Sequence, residues 1–240
     1  MSKIINIASY LDSTYLKTAN ESNISELANK ECVIKIINDA IVDDFACVMI
    51  RPEFVSIARD IIEAKDSRLK IGTVIDFPLG SSDTLDKIEE AKKAILDGAY
   101  DIDYVCDYNA FKRGSLDKFD QDILEGTKLV LKNKGVVKWI IETGALSREE
   151  IRDISKRITS LVESNFYKNS NQIFIKTSTG YYGGFGATIK DVKLIKSVSG
   201  NLKVKASGGV STLKDCLKMI DAGADRIGTS KAQSIINTNT

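Results

Sequence analysis

Short apolar runs recur along the chain at Tyr10 to Leu16, Phe45 to Ile50, Leu69 to Phe77, Asp101 to Asp107, Val136 to Glu142, Ile173 to Ser178, Leu202 to Ala206 and Asp225 to Gly228. Their length and their richness in Val and Ile predict strands. Between them, apolar residues recur at helical spacing over Ile24 to Ala40, Pro52 to Lys65, Ser82 to Asp97, Asp120 to Asn133, Arg148 to Ser164, Thr188 to Val198 and Thr212 to Ala222. Eight strands alternating with helices predict an α/β fold: a single (β/α)8 TIM barrel over residues 1–240 with a short N-terminal helical extension. Gly98, Gly135, Gly200 and Gly223 fall where helices should stop before the next strand, as C-caps do. The two prolines, Pro52 and Pro78, stand at strand ends, and no linker, low-complexity tract or close repeat interrupts the pattern.

One run departs from an ordinary strand. In Gln172 to Gly180, QIFIKTSTG, alternation sets Ile173, Ile175 and Thr177 on one face and Phe174, Lys176 and Ser178 on the other. Lys176 is therefore aimed across the sheet inside an apolar segment. Burial disfavours an ammonium and lowers its pKa, and a neutral amine in a dry pocket attacks carbonyl carbons. Barrel chemistry sits at the C-terminal ends of the strands. Those ends carry Asp12, Thr14 and Lys17 after strand one, Asp76 after strand three, and Asp101, Asp103 and Asp107 at even spacing on one face of strand four. Glu142 follows strand five, and strand seven brings Lys203 and Lys205. Asp103, Lys176 and Lys205 make a plausible set: two lysines on adjacent strands disfavour each other's charge, and a carboxylate holds one of them protonated and passes protons. A buried Lys–Asp pair with a purely structural role is the alternative.

Composition narrows the chemistry further. Hydrophobic residues make up 43% of the 240, enough for one large core. The 33 acidic residues nearly balance the 34 basic ones without a long basic block, so nucleic acid and membrane surfaces are not expected partners. Small molecules or further copies of the chain are. Histidine is absent, which removes Ser-His-Asp and Cys-His schemes, HExxH zinc sites and imidazole bases together, and raises lysine chemistry by elimination. Cys32, Cys47, Cys106 and Cys216 are widely spaced in or beside apolar segments, as buried reduced thiols are. The N-terminal segment is too interrupted for a signal peptide, and no stretch reaches the roughly 18 apolar residues of a membrane span, so a cytoplasmic protein is expected. Finally, Ser207-Gly208-Gly209-Val210 and Gly228-Thr229-Ser230 follow strands seven and eight, where barrels often bind phosphate through backbone N–H groups.

The chain resembles the deoxyribose-phosphate aldolase family in order along nearly its whole length. The matching elements are LDSTYLK at Leu11 to Lys17, TVIDFPLG at Thr73 to Gly80, GAYDIDYV at Gly98 to Val105, WIIETG at Trp139 to Gly144, FIKTSTG at Phe174 to Gly180, VKASGGVST at Val204 to Thr212 and RIGTS at Arg226 to Ser230. The resemblance implies a class I aldolase of deoxyribose phosphate catabolism. It would cleave 2-deoxy-D-ribose 5-phosphate to acetaldehyde and D-glyceraldehyde 3-phosphate through an imine, with no metal and no other cofactor. Lys176 matches the Schiff-base lysine, Lys205 the second lysine and Asp103 the aspartate of the site. Expected substrate contacts are Asp12, Thr14, Lys17, Thr177, Gly180, Gly208, Gly209, Gly228 and Ser230. The chain departs from the family where many members carry a lysine after STG, here Tyr181, and an arginine after GGV, here Ser211. A C-terminal tyrosine used by some members has no counterpart in Thr238-Asn239-Thr240, and Met49 stands where some members have a cysteine. The two lost charges leave Lys231 or Lys17 to face a phosphate. Otherwise they point to a related aldolase for a different or unphosphorylated aldehyde, or to a barrel that binds sugar phosphates without catalysis. Association into a homodimer through exposed apolar residues on the outer helices is a further expectation.

Overall fold

Eight parallel strands close on one another in chain order in the computed structural model, which describes residues 6–237. They are β1 (Leu11–Tyr15), β2 (Cys47–Ile50), β3 (Lys70–Ile75), β4 (Asp101–Val105), β5 (Val136–Ile140), β6 (Ile173–Lys176), β7 (Lys203–Ser207) and β8 (Arg226–Thr229). The helices are α1 (Ala19–Ser22), α2 (Glu26–Val42), α3 (Val55–Ala64), α4 (Thr84–Asp97), α5 (Tyr108–Lys112), α6 (Leu116–Lys132), α7 (Arg148–Phe166), α8 (Ile189–Val198), α9 (Leu213–Asp221) and α10 (Ala232–Asn237). The predicted (β/α)8 barrel is the observed fold. The N-terminal extension is a single 3-10 turn over Ile7–Tyr10. The triplet Thr238-Asn239-Thr240 and the first five residues of the N-terminal segment lie outside the described residues.

Helix starts follow local chemistry. The hydroxyls of Thr18 and Ser147 accept the backbone N–H of Glu21 and Glu150, whose carboxylates reach back to the capping residue's own N–H. The hydroxyls of Thr188 and Thr212 accept the N–H of Asp191 and Asp215 at the starts of α8 and α9. At the other ends, Gly98, Gly200 and Gly223 stop α4, α8 and α9 as predicted, but Gly135 does not stop α6. Lys134 takes the left-handed conformation there, and Gly135 lies so close to the Tyr100 carbonyl that a Cβ would come within 2.6 Å of it. Two further expectations are corrected. Cys32 is exposed on α2, unlike the buried Cys47, Cys106 and Cys216. Asp107 does not join Asp101 and Asp103, because β4 ends at Val105. Instead Asp107 caps α5, accepting the Ala110 N–H at 2.7 Å and pairing with Lys118 at 2.9 Å.

The main apolar core is an annulus between the strands and the helices. Val33 and Ile37 of α2, Phe119 and Ile123 of α6, and Ile154 and Ile158 of α7 pack in one cluster with Val48, Ile102, Val137, Ile175 and Val204 from the strands. Each such side chain fully buried contributes about 1.5–3 kcal/mol. Trp139 stacks on Tyr104 at 4.7 Å and donates its Nε1–H to Thr127. The alternate strand positions turn into the barrel, where the apolar cluster is small: Leu16, Cys47, Met49 and Val74, with Phe77 and Tyr181 against it. Charged side chains occupy much of the remaining interior. No helix among the described residues is long and apolar enough to cross a membrane.

Candidate active site

Strand register brings the lysines together. Lys176 on β6 lies beside Lys205 on β7, and Asp103 on β4 beside Lys138 on β5. Lys176 and Lys205 each donate to the same oxygen of Asp103, Oδ2, at 2.8 Å. Lys138 stands 3.2 Å from the other oxygen, Oδ1, without hydrogen-bond alignment. From Lys205 the charges continue around the interior. Its Nζ lies 2.6 Å from Asp12, Asp12 accepts from Arg226 at 2.7 Å, Arg226 donates to Asp101 at 3.1 Å, and Asp101 accepts from Lys138. Cations and carboxylates alternate, and Asp12, Asp101, Asp103, Lys138, Lys176 and Lys205 are all buried.

Burial is the first cause of Lys176's lowered pKa. Asp103 opposes it, Lys205 and Lys138 reinforce it, and the amine comes down to about 8. For Asp103 burial acts upward, but Lys138, Lys176 and Lys205 together outweigh it and hold the carboxyl far below the ordinary range. Asp12 is likewise kept ionised against its burial by Arg226, Lys205 and Lys138. Desolvation works against the charge on Lys138, yet Asp101, Asp103 and Asp12 raise its pKa above the usual lysine value. Of Lys176 and Lys138, Lys176 is the one poised to lose its proton.

Lys176 opens onto a cavity of about 870 Å³ at the C-terminal ends of the strands. Thr14, Lys17, Gly180, Gly208, Gly209, Gly228 and Ser230, all named from sequence, line it, as do Tyr181, Ser211 and Lys231. Gly180, Gly208 and Gly209 have φ of +83°, +86° and +75°, which side chains beyond Cα disfavour, so this wall is largely bare backbone. The Tyr181 ring meets Phe77 edge-on at 4.9 Å. Lys205, Asp103 and Asp12 lie outside the lining, and Asp12 is fully enclosed by its cationic partners. Thr177 does not reach the cavity either: its hydroxyl donates to the Ser207 carbonyl and accepts the Ser207 N–H, stitching β6 to β7. Of the expected substrate contacts, Asp12 and Thr177 are thus the two that the cavity lining does not include.

Sequence reasoning missed Lys138 and Arg226 and gave Glu142 no role. Glu142 has φ +56°, and its Oε2 accepts both the hydroxyl and the N–H of Thr179, fixing the loop that carries Gly180 and Tyr181. Burial raises its pKa, against the Thr179 hydrogen bonds and Lys176. Asp12, Cys47 and Asp101 place one potential metal-ligand atom each within 4.8 Å of one another. Both carboxylates are already bound by Lys138 and Arg226, and burial pushes the Cys47 thiol well up, so this donor set does not suit a cation.

No protein-family model matches the chain. It is 38% identical over 233 residues to the deoxyribose-phosphate aldolase of Thermococcus gammatolerans, covering 97% of this chain and 96% of that one. It is 40% identical over 232 residues to the enzyme of that name from Dictyoglomus turgidum, covering 96% of each. Among solved structures, an aldolase called QR15 superposes with a TM-score of 0.79 at 35% identity, over 98% of this chain and 96% of that one. The deoxyribose phosphate aldolase of Aeropyrum pernix, described as a unique tetramer, gives 0.79 at 27% identity over 97% and 90%. With near-complete coverage by such relatives and an interior built around a buried lysine, the chain belongs to the deoxyribose-phosphate aldolase family.

Proposed function

We propose that this chain is a class I aldolase whose nucleophile is Lys176, cleaving 2-deoxy-D-ribose 5-phosphate reversibly to acetaldehyde and D-glyceraldehyde 3-phosphate. The observation that carries the reading is a buried amine, brought down to about pH 8, on the floor of a cavity and sharing one carboxylate oxygen with a second lysine. Neutral Lys176 adds to C1 of the open-chain aldehyde, and loss of water gives an iminium. The C3 hydroxyl gives up its proton, the C2–C3 bond breaks, and its electron pair flows into the iminium to form an enamine. Glyceraldehyde 3-phosphate leaves, C2 is protonated, and water adds to the new iminium to release acetaldehyde and regenerate the amine. Asp103 and Lys205 serve the proton transfers through a water, the carboxylate holding Lys205 as the acid. The iminium itself is the electron sink, so the scheme uses neither metal nor other cofactor.

The bare-backbone wall at Gly180, Gly208, Gly209 and Gly228 supports a phosphate end for the substrate, with Thr14 and Ser230 as hydroxyl contacts and Lys17 and Lys231 as the cations. Borohydride added with acetaldehyde tests the reading. It should fix a two-carbon adduct on Lys176, and Lys176→Ala should abolish both adduct and cleavage. An adduct elsewhere, or cleavage that survives the substitution, refutes it.

Neutral Tyr181 and Ser211 on the cavity wall favour a second reading, a related aldolase for an unphosphorylated aldehyde. Comparing kcat/KM for deoxyribose and its 5-phosphate separates the two. Buried free thiols at Cys47, Cys106 and Cys216 suit a reducing cytoplasm, the compartment of deoxyribose phosphate catabolism. The exposed Leu27, Val42, Leu85 and Leu96 on α2 and α4 support self-association, which light scattering would measure.

A further inference from the structure

The interior charges are not evenly matched. Lys138, Lys176, Lys205 and Arg226 face the three carboxylates Asp12, Asp101 and Asp103. With every group ionised there is one cation too many, and release of a single proton brings the set into balance. Lys138 is the member whose contacts make this possible. It is wholly buried, it touches all three carboxylates, and Lys205 and Lys176 do not compete for the Asp103 oxygen it faces.

We propose that Lys138 is a positioning residue for imine formation: as a fixed cation behind Asp103 it supplies positive charge that makes Lys176 give up its proton more readily. The inference rests on Lys176 being the nucleophile. Lys138 itself meets no reacting atom, since it does not line the cavity. Its surroundings are Asp12 on β1, Cys47 on β2, Asp101 and Asp103 on β4, the Phe174 ring at 5.8 Å on β6, and Arg226 on β8, which binds the same Asp12 and Asp101. Lys176 in turn meets Asp103, Lys205 and Lys138, and Glu142 from beyond β5. Without Lys138 the remaining charges balance with Lys176 protonated, so the amine should keep its proton to higher pH.

Competitive acetylation with acetic anhydride, read at Lys176 by peptide mass spectrometry across pH, follows this titration whether or not the protein cleaves any sugar. Lys138→Met should move the midpoint up by at least about one unit, a roughly tenfold slower labelling of Lys176 near neutrality. Lys138→Arg should leave the midpoint near its original place. Asp101→Asn, which removes a negative charge from the same set, should move it down, and the double variant Lys138→Met with Asp101→Asn should restore it. The Asn variant and the double variant decide the matter if the Met variant fails to fold. An unmoved midpoint in Asp101→Asn, or a double variant shifted like a purely structural lesion, overturns the proposal. Failure of borohydride trapping on Lys176 in the unaltered protein would instead overturn the aldolase reading and leave this titration result standing.

Discussion

Asp103→Asn should separate imine formation from turnover. Asp103 Oδ2 lies 2.8 Å from both lysine nitrogens, so the substitution keeps the shape and removes one charge. At an effective dielectric of ~20, two unit charges at that distance interact by about 6 kcal/mol. Lys205 and Lys138 share this carboxylate, and the amide dipole and local relaxation recover part of the loss. A shift of one to two pKa units, about 1.4–2.7 kcal/mol, is a realistic remainder. Its sign is downward, because Asp103 favours charged Lys176 while Lys205 and Lys138 oppose it. With the midpoint near pH 8, about a tenth of Lys176 is neutral at pH 7 in the unaltered protein. In the variant, half or more would be, so borohydride trapping with acetaldehyde should quicken severalfold at pH 7 and about tenfold or more near pH 6. Cleavage of the sugar phosphate should nevertheless fall by about 10²–10⁴, the usual reach of a general acid–base pair, because the carboxylate that serves the proton transfers is gone while Lys205 keeps only Asp12. Slower trapping below pH 7 would refute the electrostatic account, and undiminished turnover would refute the proton-transfer role.

Lys176→Met should stabilise the fold near neutrality. The folded pKa of about 8 lies below the ordinary 10.5, so the unfolded chain binds more protons between these values and stability rises with pH across them. Below that window the amine costs the fold ~3 kcal/mol, so denaturant melts at pH 7 should favour the Met variant, with the difference shrinking by pH 10. Ser211→Arg should raise the preference for the 5-phosphate over free deoxyribose by about tenfold in kcat/KM, since charge-assisted contacts are roughly twice as strong as neutral ones. An unchanged ratio would place the phosphate elsewhere. Gly228→Ala should damage both stability and turnover, because its Cβ would come within 2.3 Å of the Ser207 hydroxyl and 3.0 Å of Lys205 Cε. Overpacking of this kind costs about 1–3 kcal/mol, and unchanged melting and kcat together would count against the close packing around Lys205.

The strands were legible because a barrel buries its outward positions under helices, which leaves each strand a compact apolar run. Lys176 was legible for a second reason. A lysine inside IFIKTS has no soluble explanation on a buried strand, and its parity put it opposite Ile175, which packs outward into the annulus. The same signal existed in VVKWII for Lys138 and was passed over, because attention to strand ends excludes a residue in the middle of β5. Arg226 opens β8 at its N-terminal end, and only closure of the barrel brings it to Asp12 at the far end of the chain sequence. Asp107 was misplaced for the opposite reason. Even spacing holds only while the strand lasts, and β4 stops at Val105, after which Asp107 serves a helix. The short helices α1, α5 and α10 had too few turns to show a period.

The interior and the annulus divide the work of this fold. An all-apolar interior would have been the simpler way to stabilise a barrel, since replacing buried ion pairs by packed hydrophobic groups is often neutral or favourable. Here Val, Ile and aromatic side chains outside the strands hold the barrel closed, and the charged interior is free to set proton affinities. A carboxylate bound by one lysine would keep that lysine protonated. Shared between Lys176 and Lys205 and backed by Lys138, Asp103 cannot fully satisfy either amine on the cavity side, and the one that opens onto the cavity is the one that yields its proton. The arrangement therefore couples reactivity to crowding of like charge: removing the positive charge of Lys205 or Lys138 should return Lys176 toward an ordinary, unreactive ammonium.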